Sequence, residues 1–266
     1  MKIAVCVKQV PDSWAEKKMI DGKLDRDGVD AVLNDLDEYA IEEALAIVEP
    51  LNEAAGAPIH TVTLISMGPD RASEALRKGL SMGADDAILI TDPALAGSDA
   101  LATSKVLAAT ISAGGFDLVF CGTESTDARM SVIPAMLAER LGWAQLTFAG
   151  AVRVDETGQE IEIDRSTEFG VEKMKAKFPA VVGVIEKINE PRYPSFKGIM
   201  AAKKKVIENK SLADLGLSGA DVGKSAAWSV VESATARAAR EKGVKIEDGG
   251  EAGNTLVDYL LEKRLV

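Results

Sequence analysis

The sequence predicts an α/β fold in which a doubly wound, mostly parallel sheet carries helices on both faces. Short runs rich in valine, isoleucine and leucine alternate along the chain with longer stretches of helical periodicity, and this alternation is typical of parallel βαβ units. The runs are almost continuously apolar, as expected for strands that are buried on both sides of a sheet. A chain of 266 residues, of which 47% are apolar, is long enough for one large domain of this class.

The strands and helices alternate in order along the chain. The strands are predicted at Ile3–Val7, Thr61–Ser66, Asp86–Ile90, Asp117–Cys121 and Ala180–Ile185. The helices are predicted at Leu36–Val48, Pro69–Leu80, Ser98–Ile111 and Met130–Leu141. In the first helix, LDEYAIEEALAIV, the apolar residues recur at the spacing that places them near one face. Asn34 or Asp35 can cap its first turn.

A different pattern begins near Thr147. Residues 147–153, 159–164 and 168–175 alternate more loosely and flank the turn Glu156-Thr157-Gly158, which predicts short antiparallel strands or a hairpin at the sheet edge. After Lys205 the sequence is small, polar and weakly patterned, so we predict a domain of residues 1–205 and a C-terminal arm of residues 206–266. The arm ends in NTLVDYLLEKRLV, which can form a short amphipathic helix that is marginal in isolation. The residues leave open whether this helix docks on another chain or on its own domain.

Composition and charge argue against several classes of function. The formal net charge of −11 argues against nucleic acid as the main partner. No apolar run reaches the roughly 18 residues of a membrane span, and the first residues lack the pattern of a signal peptide. The single histidine, His60, has no nearby ligand partner, so we expect neither a metal site nor a hydrolytic catalytic residue. Cys6 and Cys121 lie in apolar runs, as is typical of buried thiols in a reducing cytoplasm.

Four turns of the predicted sheet lie where a ligand could bind, because open parallel sheets bind ligands beyond the carboxyl ends of their strands. The turns are Cys6–Lys8, Asn34–Asp37, Ser66–Pro69 and Gly122–Asp127. The last is the best anion-site candidate, because a glycine, several hydroxyl groups, the N–H groups of a helix start and Arg129 come together there. Neither a dinucleotide nor a P-loop fingerprint is present, so nucleotide binding and a simple capped helix start both stay open.

One segment of this acidic chain is purely basic. From Pro191 to Lys205 there are five cations and no anion, with Phe196 among them. Pro191, Pro194 and Gly198 are typical of a protruding loop, which could present Phe196 to an acidic partner. The other interpretation is a basic turn with the phenylalanine packed beneath it, and the residue pattern by itself favours that one.

The segment KFPAVVGVIEKINEPRYPSFKGIMAAKKK, residues 177–205, resembles the signature of electron transfer flavoprotein β subunits. The resemblance continues in VCVKQVPD, in the Asn34 turn followed by EEAL, in SMGP, in LSMGADDAILI and in FDLVFCGTESTD, and it spans essentially the whole chain. It implies a Rossmann-like, adenine-nucleotide-binding sheet and a heterodimer with an α subunit that holds most of the redox FAD. It also implies an AMP in this subunit or, in some members, a second FAD.

The resemblance implies which residues contact the nucleotide. They are Cys6, Asn34, Asp35, Leu36, Asp37, Met67, Gly122, Thr123, Glu124, Ser125, Thr126, Asp127, Ala128, Arg129, Met130, Ser131, Val132 and Ile133. This chain departs from the family at Arg129-Met130-Ser131-Val132, where other members carry a small polar run. Since Arg129 could serve an additional phosphate, AMP and a second FAD are both open, and we favour AMP.

The resemblance also implies a role for the basic segment 189–205. It is similar to a recognition loop that docks on partner dehydrogenases, with Phe196 at its tip and Arg192 and Lys197 beside it. The implied function is an electron carrier, not an enzyme, that accepts electrons from acyl-CoA or related dehydrogenases, as in fatty acid oxidation. A quinone oxidoreductase then passes the electrons to the quinone pool. The alternatives are a bifurcating form, with a second FAD and NADH as donor, and a stand-alone nucleotide-binding module.

Overall fold

The structure is a computed structural model that describes residues 1–20, 23–155, 159–235, 238, 242–243 and 245–266. The strands are β1 (Lys2–Cys6), β2 (Gln9–Pro11), β3 (Met19–Ile20), β4 (Lys23–Leu24), β5 (Ala31–Leu33), β6 (Thr61–Met67), β7 (Asp86–Ile90), β8 (Leu118–Gly122), β9 (Ala144–Val154), β10 (Glu160–Thr167), β11 (Gly170–Lys177), β12 (Ala180–Val184) and β13 (Ile207–Lys210). The helices are α1 (Asp35–Ala55), α2 (Ser73–Met82), α3 (Ala100–Gly114), α4 (Ile133–Leu141), α5 (Phe196–Lys204), α6 (Gly223–Ala226) and α7 (Ala252–Glu262).

Nine of the described strands form one sheet in the order β11-β10-β9-β12-β8-β1-β6-β7-β13. All neighbours from β9 to β13 in this order run parallel, whereas β10 pairs antiparallel with both β9 and β11. Two small antiparallel ribbons, β2 with β5 and β3 with β4, lie outside this sheet. The predicted doubly wound, mostly parallel sheet with an antiparallel edge is therefore confirmed.

The helices lie in two layers, one on each face of the sheet. α1 and α2 bury their apolar residues, among them Ile41, in a cluster that includes Phe120. α3 and α4 bury theirs, among them Ile111, in a second cluster that includes Val119. Since neighbouring residues of β8 point into opposite clusters, both faces of this strand are buried, and its sequence reads as a continuous apolar run.

The ends of the predicted helices and strands differ from the observed ends by a few residues, and the largest difference is at the C-terminal end of α1. It continues through Pro50 to Ala55 and stops at Gly56, which has a left-handed φ of 63°. α4 begins at Ile133 and not at Met130, because Arg129 and Ser131 have φ values of 51° and 55°, which a right-handed helix cannot contain. The predicted turn at residues 156–158 lies outside the described residues.

The chain divides into two compact units, Met1–Glu232 and Ser233–Val266. The first extends beyond Lys205, because β13 pairs with the sheet edge at β7 and because Leu212 and Val222 are buried. β13 has only four residues and lies at the edge of the sheet, so its apolar pattern is too weak to be recognised in the sequence. The second unit contains α7, where Leu256 and Val257 are about half exposed. Within the described residues, no helix is long and apolar enough to cross a membrane.

The basic segment contains a helix where the sequence predicts a loop. Ser195 caps α5, because its Oγ accepts a hydrogen bond from the Gly198 N–H group at 3.0 Å. Gly198 lies inside this helix, and a Cβ atom there would lie 2.5 Å from the carbonyl oxygen of Ser81. The glycine therefore allows α5 to approach α2 closely, and it does not mark a turn.

Candidate functional site

A cleft lies at the carboxyl ends of β1 and β8, where the strand order reverses. β6 and β7 lie on one side of β1, and β8 and β12 lie on the other. Such a switch point is the usual ligand site of an open α/β sheet. The cleft has a volume of about 910 Å³ and is lined by Cys6 and Cys121, which are register partners on the two strands.

Most of the residues that the resemblance implies line this cleft. They are Cys6, Asp37, Met67, Gly122, Thr123, Glu124, Ser125, Ala128, Met130, Ser131, Val132 and Ile133. The remaining ones lie in the same turns but outside the lining, namely Asn34, Asp35, Leu36, Thr126, Asp127 and Arg129. The fold thus brings the four predicted turns together, while contact with a nucleotide stays a prediction.

Asn34 connects two of these turns, and its side chain does not cap α1. The residue is fully buried. Its amide nitrogen donates to Asp37 Oδ1 and to the carbonyl oxygen of Glu124, both at 2.9 Å, and its Oδ1 accepts from the Thr126 N–H group at 3.0 Å. Because both amide N–H groups are used inside the protein, Asn34 holds the loop that follows β8 against the start of α1.

Asp37 is a buried carboxyl group in the wall of the cleft. Its Oδ2 accepts a hydrogen bond from the Lys8 N–H group at 2.8 Å. Burial raises the pKa of Asp37 to about 7, although the hydrogen bonds from Asn34 and Lys8 oppose the change. Near neutral pH this carboxyl group can therefore be present with or without its proton.

Asp127 forms an ion-pair cluster with two cations. Its Oδ1 lies 2.8 Å from Lys8 Nζ, and its Oδ2 lies 2.5 Å from Arg26 Nη2. Burial alone would raise the pKa of Asp127, but the charge of Lys8 and the hydrogen bonds from Lys8 and Arg26 outweigh it and lower the pKa to about 2. Asp127 is thus a permanent anion behind the wall, while both cations line the cleft.

The loop between β8 and α4 is held in a strained shape by Glu124. This carboxylate accepts from Ser131 Oγ at 2.9 Å and from Arg129 Nη1 at 3.4 Å. Arg129 and Ser131 both have positive φ values, which L residues rarely adopt. Arg129 therefore lies outside the lining, although the sequence leaves open that its charge serves an additional phosphate.

One wall of the cleft was not predicted. It consists of the turn after β7 and the first turns of α3, namely Thr91–Pro93, Leu95–Ala100, Thr103 and Leu107. The sequence contains a signal for it, because Asp99 caps α3 through a bond from the Ala102 N–H group at 3.0 Å. The sequence places Lys8 in one of the four candidate turns but not among the implied contacts, and it gives no signal for Arg26, because only the fold shows which turn each cation faces.

The basic segment lies on a different surface, and its three predicted docking residues differ in their availability. Arg192 is bound to Glu42 at 2.8 Å and to Glu49 at 2.5 Å, both on α1. Phe196 has 80% of its surface exposed, and Lys197 is exposed beside it. Arg192 thus fastens the segment to its own domain, whereas Phe196 and Lys197 face outward.

A doubly wound sheet with a cleft at its switch point defines the class of α/β proteins that bind ligands beyond the carboxyl ends of their strands. Comparison with known proteins narrows this class. Residues 21–215 match the family model described as the electron transfer flavoprotein domain.

The similarity to known proteins extends over nearly the whole chain. The chain is 46% identical to the "electron transfer flavoprotein subunit beta" of Mycobacterium tuberculosis, over 99% of each chain. It is 36% identical to the protein of the same name from Megasphaera elsdenii, over 99% of this chain and 97% of the relative. It is 37% identical to "Protein FixA" of Azotobacter vinelandii, over 76% of this chain and 72% of the relative. The chain belongs to the electron transfer flavoprotein β-subunit family.

Proposed function

We propose that this chain is the β subunit of a heterodimeric electron transfer flavoprotein in the cytoplasm. It carries electrons from acyl-CoA or related dehydrogenases toward the quinone pool through a quinone oxidoreductase. The observation that carries the proposal is the 46% identity over nearly the full length of a β subunit. The FAD, held mainly by the α subunit, supplies the redox chemistry. This chain supplies a nucleotide site and the surfaces on which its partners dock.

The cleft suits an AMP in this subunit. Met67, Leu95 and Leu107 give it an apolar lining, and the cations Lys8 and Arg26 line it as well. A purine base needs apolar surfaces, and a phosphate needs positive charge, so these five residues suit an adenine nucleotide in a cleft that is otherwise lined by several acidic residues. The bound AMP would tie together the turns that follow β1, β6 and β8, which is a structural role and not a catalytic one.

The exposed start of α5 suits the docking of a dehydrogenase. Phe196 stands out of the surface beside Lys197, while Lys203 and Lys204 lie in the last turn of the same helix. An apolar side chain that enters a partner pocket can anchor an interface, and the surrounding cations attract an acidic partner surface. Since Arg192 is engaged by Glu42 and Glu49, its part in docking is to hold the segment in place.

The C-terminal unit suits the binding of the α subunit. The described residues of α7 leave Leu256, Val257, Tyr259 and Leu261 about half exposed. A short helix with an exposed apolar side is marginal unless a partner covers it. We therefore assign residues 233–266 to the contact with the α subunit. This range is shorter than the arm of residues 206–266 that the sequence predicts.

The bifurcating form, with NADH as donor, remains a second candidate because of the size of the cleft. The cleft extends past the four predicted turns to the start of α3 and reaches about 910 Å³, at the upper end of ordinary ligand pockets. A second FAD, which is larger than AMP, would contact this additional wall more extensively than AMP would. A stand-alone module is less favoured, because α7 leaves apolar side chains uncovered.

Mass spectrometry of the nucleotides released by denaturing the purified complex tests these assignments. One FAD and one AMP per complex are expected for the simple carrier. Two FAD molecules, together with NADH oxidation that depends on two different acceptors, would replace it by the bifurcating form. A chain purified without flavin and without an α subunit would contradict the carrier function in both forms.

A further inference from the structure

Two cations reach the cleft while they share one carboxylate behind it. Lys8 and Arg26 line the cleft, and their side chains keep 40% and 43% of their surface exposed. The Asp127 side chain between them has no exposed surface. Two positive charges on one negative charge leave a local positive charge around Asp127. It lies beside a cleft whose lining also carries six acidic residues, namely Asp27, Asp37, Asp70, Asp92, Asp99 and Glu124.

The three residues come from distant parts of the chain. Lys8 follows β1 and Arg26 follows β4, and they lie 119 and 101 residues from Asp127 in the sequence. Their convergence depends on the sheet, because the carboxyl ends of the neighbouring strands β1 and β8 meet at the same edge. Each cation thus keeps one side against Asp127 and leaves another side toward the cleft.

The other cations near the cleft are less suited to an anionic ligand. Arg71 lines the cleft, but it donates to the carbonyl oxygen of Arg26 at 2.7 Å and lies 3.7 Å from Asp27. Arg129 lies outside the lining and pairs with Glu124. Among the described residues, Lys8 and Arg26 are therefore the cations that combine a place in the lining with a shared counter-ion.

We propose that Lys8 and Arg26 bind the phosphate of the nucleotide and that Asp127 is their internal counter-ion. This inference rests on the proposed nucleotide site. Charge-assisted hydrogen bonds from lysine and arginine are strong, and the planar guanidinium group suits phosphate oxygens. Asp127 holds the two cations at the wall and competes with the phosphate for their charge. It therefore sets both the position and the strength of phosphate binding.

Binding of AMP and of adenosine separates the phosphate contact from the base contact. Calorimetric titration is made on the complex with the α subunit, reassembled after its nucleotides have been removed. Lys8→Met and Arg26→Gln are each expected to weaken AMP about tenfold or more, the loss of one charge-assisted bond, and to leave adenosine unchanged. Asp127→Asn is expected to tighten AMP binding, because it removes the competing anion.

Two further variants control for folding and for general charge. Lys17→Gln is the matched control, because Lys17 Nζ contacts the Thr126 carbonyl oxygen at 3.4 Å but lies outside the lining; it is expected to change neither affinity. In the double variant Lys8→Met with Asp127→Asn, no buried carboxylate is left without its lysine. A loss of AMP affinity in this double variant relative to Asp127→Asn alone therefore reports phosphate contact and not misfolding.

The outcomes distinguish this inference from the nucleotide site itself. Unchanged AMP affinity in Lys8→Met and Arg26→Gln, with normal AMP binding in the wild type, would overturn the phosphate assignment alone. An equal loss for AMP and adenosine in the double variant would assign the two cations to the structure of the loop. A wild-type complex that binds neither compound would overturn the nucleotide site, and the phosphate assignment with it.

Discussion

At the scale of single residues, Asp37 links the stability of the chain to pH. Its carboxyl group holds a proton up to about pH 7 in the folded chain, against 3.8 as the ordinary value. Between these values the folded chain binds more protons at this group than the unfolded chain does. The free energy of unfolding that Asp37 contributes is therefore highest at low pH and falls as pH rises through this window.

The variant Asp37→Asn should remove this dependence. Between about pH 4 and about pH 7, the wild type should lose up to about 1.4 kcal/mol per pH unit relative to the variant, the slope for one proton. Urea unfolding at a series of pH values measures the difference. Asp35→Asn, at an exposed position of the same helix start, should keep the wild-type slope. Parallel curves for the wild type and Asp37→Asn would show that this group does not control the dependence.

Gly122 allows β8 to end against the start of α1. A Cβ atom there would lie 2.6 Å from the carbonyl oxygen of Leu36 and 2.7 Å from Asp37 Oδ1. Gly122→Ala should lower the free energy of unfolding by about 1–3 kcal/mol, because backbone atoms must move. Gly219→Ala is the control, since its Cβ atom would lie 3.4 Å from Ala94, and it should change stability by less than about 0.5 kcal/mol. Equal denaturation midpoints for both variants would contradict this role.

At the scale of elements, α5 shows how a loop signal can belong to a helix. Pro191 and Pro194 lie before the helix, whereas Gly198, which the sequence also assigns to the loop, lies inside the helix and serves close packing. Arg77 on α2 donates to the carbonyl oxygens of Ala202 at 2.5 Å and Lys205 at 2.6 Å, which completes the C-terminal end of α5. The contact with α2 thus holds Phe196 in a fixed position. A mobile loop would lose more conformational entropy when a partner binds it.

Phe196→Ala tests docking by α5. Burial of this side chain in a partner should contribute roughly 1.5–3 kcal/mol, so electron transfer from a dehydrogenase should slow by about tenfold or more at subsaturating concentration. The flavin content of the complex should not change. Phe169→Ala removes another phenylalanine with 93% of its surface exposed and should leave transfer unchanged. Stopped-flow kinetics measure the rate of electron transfer from the dehydrogenase to each variant. A normal rate in Phe196→Ala would exclude the docking role.

At the scale of the whole molecule, the two compact units are expected to have different roles. Met1–Glu232 contains the sheet, both hydrophobic clusters and the cleft, whereas Ser233–Val266 contains α7. The first unit has a core of its own and should fold without the second. The second has too little buried apolar surface among its described residues to be stable alone.

Truncation after Glu232 should therefore separate folding from assembly. The shortened chain should keep the thermal stability of the first unit and bind the α subunit at least about tenfold more weakly, because apolar burial on α7 is lost. In the full-length chain, the pair Leu256→Ala and Val257→Ala should weaken assembly, whereas Asp258→Ala on the same helix should not. Sedimentation equilibrium measures the affinities. Undiminished assembly of the truncated chain would refute the role of this unit.

How much of the cleft could be predicted depends on how local each signal is. The strands, the helices and the four turns follow from runs of neighbouring residues, because apolar periodicity and turn composition are local properties. Arg26, the wall before α3 and the contact of Lys8 with Asp127 were missed, since nothing near these residues in the sequence indicates which turn they meet. Asn34 was predicted as a helix cap because that is its local role, yet its side chain instead binds a loop 90 residues away.

The sequence by itself determined the class of sheet, the family and the four turns that meet at the cleft, because these depend on residues close together in the chain. Only the tertiary structure decided which charges face each other. It paired Arg192 with α1, turned Arg129 away from the cleft, and brought Lys8 and Arg26 to the same carboxylate. The physical reason is that an ion pair or a close backbone approach acts over a few ångströms in space, whatever the separation in sequence.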